Sequence, residues 1–271
     1  MAVKRMLLMS CGVVLMGRAA LAQEACAKKE APKEAEGCGS LAAVQGKLDQ
    51  DEKILQDWAQ VNRYREANAK LGVPPANEER VVFMGDSITD MWALPKFGGF
   101  FPGKPYVDRG IGGQTTPQML IRFRPDVLAL QARVVVILAG TNDIAGNTGP
   151  MTLEETEGNL ASMTELAEAH GIHVVLSSVM PVSDAVTDAE EKHFVQTEKR
   201  PPEKILALNE WIKKYAATKG YVYLDYYAAT VDEKGFLKTE LTFDGLHPNA
   251  AGYAVMTPLA EKAIQETLRK K

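Results

Sequence analysis

The chain has 271 residues, 46% of them hydrophobic, enough for one sizeable core, and no composition shift marks a second. Its net charge of −4, with no basic run beyond Arg269-Lys270-Lys271, argues against a nucleic-acid surface. That short basic run reads as a solvated helix end complementing the helix dipole.

At the N-terminus, Lys4 and Arg5 precede a mostly apolar stretch from Met6 to Met16, and Ala20-Leu21-Ala22 fits a small-x-small cleavage site. Arg18 interrupts this pattern, and Cys11 comes too early in it for a lipoprotein box. The apolar stretch is too short for a transmembrane anchor. Residues 1–22 are therefore expected to be a signal peptide, with cleavage after Ala22 and export to the periplasm or medium. Cleavage removes three basic and no acidic residues, so Lys+Arg falls from 31 to 28 against 35 acids and the net charge becomes −7. Cys26 and Cys38 remain in a segment, 23–40, rich in Ala, Glu, Lys and Pro, which reads as a disordered linker. In an exported chain the two close a disulfide or stay as idle thiols.

The folded domain is expected over 41–271. A helix is predicted over 41–71, where Ile54, Trp58, Val61 and Tyr64 recur at helical spacing and Val73-Pro74-Pro75 ends the pattern. Five runs, several of them near-continuous Val/Ile/Leu, then read as buried strands: Arg80–Met84, Tyr106–Arg109, Arg133–Ala139, Ile172–Val179 and Tyr221–Leu224. Helices are predicted over Gln118–Gln131, Leu153–Ala169, Glu203–Thr218 and Asn249–Leu268, the last with Pro258 as a candidate kink. Alternation of this kind implies a doubly wound, three-layer α/β sandwich around a five-stranded parallel sheet. Ligands of such sheets sit beyond the carboxyl ends of the strands.

Three motifs lie at those positions. Gly85-Asp86-Ser87-Ile88 follows the first strand and puts a serine at a helix N-terminus, where its own N–H suits an oxyanion; capping the helix is the bland alternative. Gly140-Thr141-Asn142-Asp143 follows the third strand, with the Asn142 amide as an oxyanion donor and Asp143 as a brace for the loop. Asp244-Gly245-Leu246-His247 precedes the final helix, its carboxylate three residues before an imidazole. His170, His173 and His193 have no carboxylate at that spacing and read as structural or solvated. Serine, imidazole and carboxylate are the parts of a serine esterase. A second backbone donor is sought in Ile111-Gly112-Gly113-Gln114-Thr115, which lacks the spacing of a dinucleotide-binding turn.

From Arg80 onward the chain resembles the SGNH (GDSL-type) hydrolases, particularly their platelet-activating-factor acetylhydrolase-like bacterial branch. Gly85-Asp86-Ser87 matches the first block, Gly140-Thr141-Asn142-Asp143 the third and Asp244-x-x-His247 the last. The resemblance implies Ser87, Asp244 and His247 as catalytic residues, and Ser87, Gly113 and Asn142 as the oxyanion hole. Gly110 and Gly112 compete with Gly113 for the second block's position. It further implies a flavodoxin-like strand order, acyl-ester hydrolysis, no cofactor and no metal. The G-x-S-x-G elbow of α/β-hydrolases is absent around Ser87.

The expected function is an exported serine ester hydrolase for short, acetyl-like acyl groups, on a small-molecule, carbohydrate or lipid ester. A lysophospholipase or thioesterase using the same site is the alternative, and a noncatalytic carbohydrate- or cell-wall-binding module the alternative of another class. A dinuclear metallophosphoesterase is disfavoured because its histidine ligands are missing. The charged segment 182–202 is left as rim, lid or solvated loop. Trp92, Phe97, Phe100 and Phe101 are candidates for either an acyl pocket or the core. Nothing in the sequence selects an oligomeric state.

Overall fold

In the computed structural model, which describes residues 41–97, 99–188 and 190–270, all five predicted strands form one parallel sheet. The expected leader, linker and cysteine pair lie outside the described residues. In chain order the elements are α1 (Leu41–Gln56), α2 (Arg65–Leu71), β1 (Val81–Gly85), α3 (Ser87–Trp92), β2 (Tyr106–Gly110), α4 (Thr116–Phe123), β3 (Val134–Leu138), α5 (Thr141–Ile144), α6 (Leu153–Ala169), β4 (His173–Ser177), α7 (Pro202–Lys219), β5 (Val222–Leu224), α8 (Tyr226–Thr230) and α9 (Ala250–Arg269). The boundary between two compact units falls between Ile54 and Leu55, within α1, and the unit from Leu55 onward carries the sheet.

The central strands β1 and β3 are buried throughout and run without polar alternation because both faces of the sheet are covered there. Successive side chains point to opposite faces. Val82, Met84, Val135, Ile137, Val174 and Leu176 pack with Met119 and Phe123 of α4, Leu160 and Met163 of α6, and Ile205, Leu208 and Ile212 of α7. Val81, Phe83, Val134, Val136, Leu138, Val175, Val222 and Leu224 pack with Ile88 and Trp92 of α3 and with Tyr253, Met256, Ala260 and Ile264 of α9. Each such buried side chain contributes about 1.5–3 kcal/mol. Truncating one in the sheet centre, such as Ile137→Ala, costs about 2–5 kcal/mol.

The strand order is β2-β1-β3-β4-β5. The chain leaves β1 for β2 on one side and later returns to β3 on the other. The crevice between the carboxyl ends of β1 and β3 is therefore the topological switch point, where ligands of open α/β sheets bind.

Two predicted helices are corrected. The helix over 41–71 breaks after Gln56: the Asp57 carboxylate accepts from the N–H groups of Val61 (2.8 Å) and Asn62 (3.0 Å), and Gln60 takes φ +52°. A side chain that satisfies backbone donors this way competes with the helical ladder. Trp58, Val61 and Tyr64 consequently do not form one helical stripe. The carbonyls of Trp58 and Ala59 instead accept from Gln118 Nε2 (2.7 Å) and Gln114 Nε2 (2.8 Å), and the Tyr64 hydroxyl donates to the Gly110 carbonyl. The helix over Gln118–Gln131 starts earlier and ends earlier. Gln118 reaches back to the Thr115 N–H (3.1 Å), fixing the start, and the chain widens into a π-turn over Arg124–Leu128, where Pro125 has no N–H to donate. Helix α9 runs through Pro258 without ending there.

Candidate active site

Ser87 is the first residue of α3, directly beyond β1. Asp86 caps that helix, its carboxylate accepting from the Ile88 N–H at 2.9 Å. The serine is thus spared the capping role and its hydroxyl is free to turn elsewhere. Ser87 Oγ lies 2.9 Å from His247 Nε2. On the far side of the ring, His247 Nδ1 lies 2.6 Å from Asp244 Oδ2. Because a carboxylate accepts at Nδ1, the neutral imidazole carries its proton there and presents the Nε2 lone pair to the serine.

The loop that carries this pair is locally determined. Asp244 Oδ1 accepts from the backbone N–H groups of His247 (2.8 Å) and Leu246 (3.0 Å), and Asn249 caps α9 by accepting from Ala251 and Gly252. Burial raises the Asp244 carboxyl, but the hydrogen bonds and charge of His247 and the Leu246 N–H outweigh it, so its pKa lies below the usual value. Asp244 is therefore anionic at neutral pH and able to stabilise an imidazolium.

Asn142 reaches the same crevice from the end of β3 and is buried. Its Nδ2 donates to the Gln114 carbonyl (3.0 Å), which leaves one N–H of the amide uncommitted among the described residues. Asp143 braces the neighbouring loop, as expected, accepting from the Thr116 N–H at 3.0 and 3.1 Å and from the Thr116 hydroxyl.

The three glycines of the second motif differ sharply. The Gly110 N–H is taken by Asp108 Oδ1 (2.6 Å), and a Cβ there would collide with the Asp90 backbone nitrogen. The Gly112 N–H is taken by Asp90 Oδ2 (3.2 Å). Gly113 has φ +77°, a conformation natural to glycine, and its N–H meets no acceptor among the described residues. Its carbonyl is held by Asn147 Nδ2 at 3.0 Å.

Sequence reasoning missed the polar groups that hold these loops. Arg122, fully buried, donates to the carbonyls of Gly85 (3.0 Å) and Arg109 (2.8 Å) and pairs with Asp126 (3.1 Å). It ties the carboxyl ends of β1 and β2 together beneath the site. Asn147 and Thr148 hold the Gly113 loop from the other side, and Arg200 bonds Thr141 and Asn142. Asn and Arg side chains of this kind carry no periodic signal, and each meets a partner remote in sequence.

The other histidines lie elsewhere: His170 and His193 bond the backbone at the exposed surface, and His173 opens β4. Trp92 and Phe101 are buried core residues, with Phe100 packed against them. Phe97 is half-buried, packed against Tyr253 of the core and stacked on Phe243 with planes 12° apart and centroids 6.3 Å apart. No group of three or more His, Cys, Asp or Glu side chains among the described residues is arranged to hold a metal ion. No helix among them is long and apolar enough to cross a membrane.

Residues 83–255 match the model of the GDSL-like lipase/acylhydrolase family. The chain is similar to a candidate acylhydrolase from Bacteroides fragilis NCTC 9343, with 44% identity and a TM-score of 0.71 over 79% of this chain and 99% of that one. It is also similar to a GDSL-like lipase from Bacteroides thetaiotaomicron VPI-5482, at 42% identity and a TM-score of 0.69, covering 77% and 98%. An uncharacterized lipoprotein of Bacillus subtilis (strain 168) is 34% identical over 79 residues; the match spans 28% of this chain and only 32% of that relative's length.

Proposed function

Because the chain belongs to the GDSL-like lipase/acylhydrolase family and is a carboxylic ester hydrolase, we propose that Ser87, His247 and Asp244 carry the reaction through an acyl-enzyme. One observation carries this reading: the unbroken row from Ser87 Oγ to His247 Nε2 (2.9 Å) and from Nδ1 to Asp244 (2.6 Å). His247 withdraws the serine proton as Oγ attacks the ester carbonyl, and Asp244 stabilises the imidazolium that forms. The developing oxyanion is met by the N–H groups of Ser87 and Gly113 and by the Asn142 amide. Removing one such donor costs roughly 2.7–4 kcal/mol in comparable sites. His247 then hands its proton to the leaving alcohol, and water attacks the acyl-serine by the same route.

The acyl group is short, acetyl or butyryl. Gly112, Gly113, Gln114, Asn142, Asn147 and Thr148 crowd the donor side of the crevice with polar groups, while Trp92 and Phe101 are spent on the core. A long chain is favoured only where each methylene is dehydrated, at about 0.8 kcal/mol apiece. Rapid mixing with p-nitrophenyl acetate tests the acyl-enzyme: a burst of one nitrophenolate per Ser87 supports it, whereas its absence together with failure to trap acyl-Ser87 by mass spectrometry sinks it. A rise in kcat/KM from acetyl to decanoyl esters overturns the short-chain assignment.

We also propose that the protein is exported after cleavage behind Ala22. The basic, apolar and small-residue order of residues 1–22 supports this, as does the lipoprotein name of the Bacillus subtilis relative. N-terminal sequencing from the native host is expected to begin at Gln23; a chain beginning at Met1 would contradict it.

A further inference from the structure

We propose that Arg200, with Gln196 behind it, is a positioning residue of the esterase site that holds the Asn142 amide with its N–H toward the developing oxyanion. The proposal rests on the oxyanion role given to Asn142 above. Arg200 closes the charged segment after β4, immediately before Pro201 and α7, and it is buried. Its Nη2 donates to Asn142 Oδ1 (3.2 Å), its Nε to Thr141 Oγ1 (3.1 Å) and its Nη1 to Gln196 Oε1 (3.2 Å). Gln196 Nε2 in turn donates to the Asp244 carbonyl (3.0 Å). One chain of hydrogen bonds therefore runs from the backbone of the triad carboxylate to the oxyanion amide.

The chemistry of the guanidinium makes this contact selective. An asparagine amide turned by 180° exchanges its acceptor for its donors. Arginine has five donors and no acceptor, so it accepts only the orientation with Oδ1 toward it. The same bond puts a cation on the amide oxygen, which draws electron density from the nitrogen and strengthens Nδ2–H as a donor. Pure scaffolding accounts poorly for the residue. A guanidinium taken out of water costs several kcal/mol unless a carboxylate repays it. Arg200 makes no salt bridge among the described residues; Asp86 and Asp244 act on it through space.

The segment that delivers these two side chains is pinned rather than lid-like at its base. Asp184 accepts from the N–H groups of Gln196 (2.6 Å) and Thr197 (3.0 Å) and from the Thr197 hydroxyl, while the Ser183 N–H donates to the Gly245 carbonyl (2.8 Å). Both ends of the brace are thereby fixed to the loops they serve.

The test is a double-mutant cycle on the purified full chain with p-nitrophenyl acetate, using Asn142→Ala, Arg200→Met and the pair. Asn142→Ala is expected to lower kcat by about 10²–10³-fold. Arg200→Met is expected to lower kcat by about ten- to a hundredfold with KM within about twofold, and to cost less than about twofold more in the Asn142→Ala background. Arg200→Lys, which keeps the charge, recovers part of the lost kcat. Running the same cycle with the lysine variant keeps the test intact if the methionine variant does not fold, and thermal melts report folding throughout. Losses that multiply in the double variant, or an Arg200 effect confined to KM, overturn the positioning role. Wild-type kcat in Asn142→Ala instead overturns the oxyanion role of Asn142, a separate result.

Discussion

The Phe243 ring lies parallel to the His247 imidazole, with planes 13° apart and centroids 5.7 Å apart. Phe97 continues the row beyond Phe243, and the Lys96 ammonium stands 4.7 Å from the Phe97 centroid and 5.7 Å from that of Phe243. Phe243 remains 41% exposed, so this row is open to a bound molecule. In the proposed mechanism Nε2 returns its proton to the departing alcohol, and we propose that the leaving group, not the acyl group, lies on the side of the imidazole that Phe243 flanks.

Phe243→Ala is therefore expected to raise KM for acetates of bulky alcohols, such as phenyl and naphthyl acetate, by about twofold to tenfold, in line with roughly 0.5–1.5 kcal/mol of lost contact. Ethyl acetate and the ratio between acetyl and butyryl esters are expected to stay unchanged. Kinetics on the two ester series decide it, and an effect on acyl-chain preference would count against this placement.

Ser87→Ala and His247→Ala are each expected to remove nearly all esterase activity while leaving the thermal melt in place. Asp244→Asn is expected to lower kcat by about 10⁴-fold, since an amide no longer fixes the imidazole tautomer. A serine-directed organophosphorus reagent is expected to add mass at Ser87 alone, because Ser177, Ser178 and Ser183 are buried. Adduct on any of those three peptides would move the nucleophile.

Gly110→Ala and Gly113→Ala are expected to separate steric collision from backbone strain. The first drives a methyl into the Asp90 backbone, so α3 has to move and the melting temperature falls steeply. The second has open space, with Asn147 Nδ2 at 3.9 Å as the nearest atom, and costs only the left-handed backbone, about 1–2 kcal/mol. Equal losses in urea melts would contradict this difference in packing.

Asp86 links stability to pH. Burial pushes its carboxyl up to about 6, against a usual 3.8, with the Ile88 N–H working in the opposite direction. A raised carboxyl contributes stability that is fully present below about 3.8 and lost as pH rises through about 6. A rise of that size corresponds to something on the order of 3 kcal/mol. Asp86→Asn, which keeps an oxygen for Ile88, is expected to abolish that loss, so its advantage over the natural chain grows from pH 4 to pH 7. Urea denaturation across that range measures it; parallel pH profiles would show that Asp86 does not titrate in this window. Asp244 works with the opposite sign, its lowered pKa contributing stability that is lost as pH falls.

The five strands and the pairing of Asp244 with His247 can be read from the chain alone. Runs such as Val134–Leu138 are legible because a strand covered on both faces has no polar position to hide. Asp244 and His247 are legible because a three-residue turn joins them whatever the rest of the chain does. The break at Asp57 is not legible: the apolar spacing of Trp58, Val61 and Tyr64 fits a helix, and what overrides it is a carboxylate capturing two backbone donors. Nor does composition distinguish Gly110, Gly112 and Gly113. Folding brings Asp108 and Asp90 to the first two and leaves the third N–H open. The same holds for Arg200 on Asn142 and for Phe97 on Phe243, which meet across long stretches of chain. Periodicity records which face a residue occupies, whereas a hydrogen-bond partner is chosen by where the backbone closes, and that depends on the whole fold.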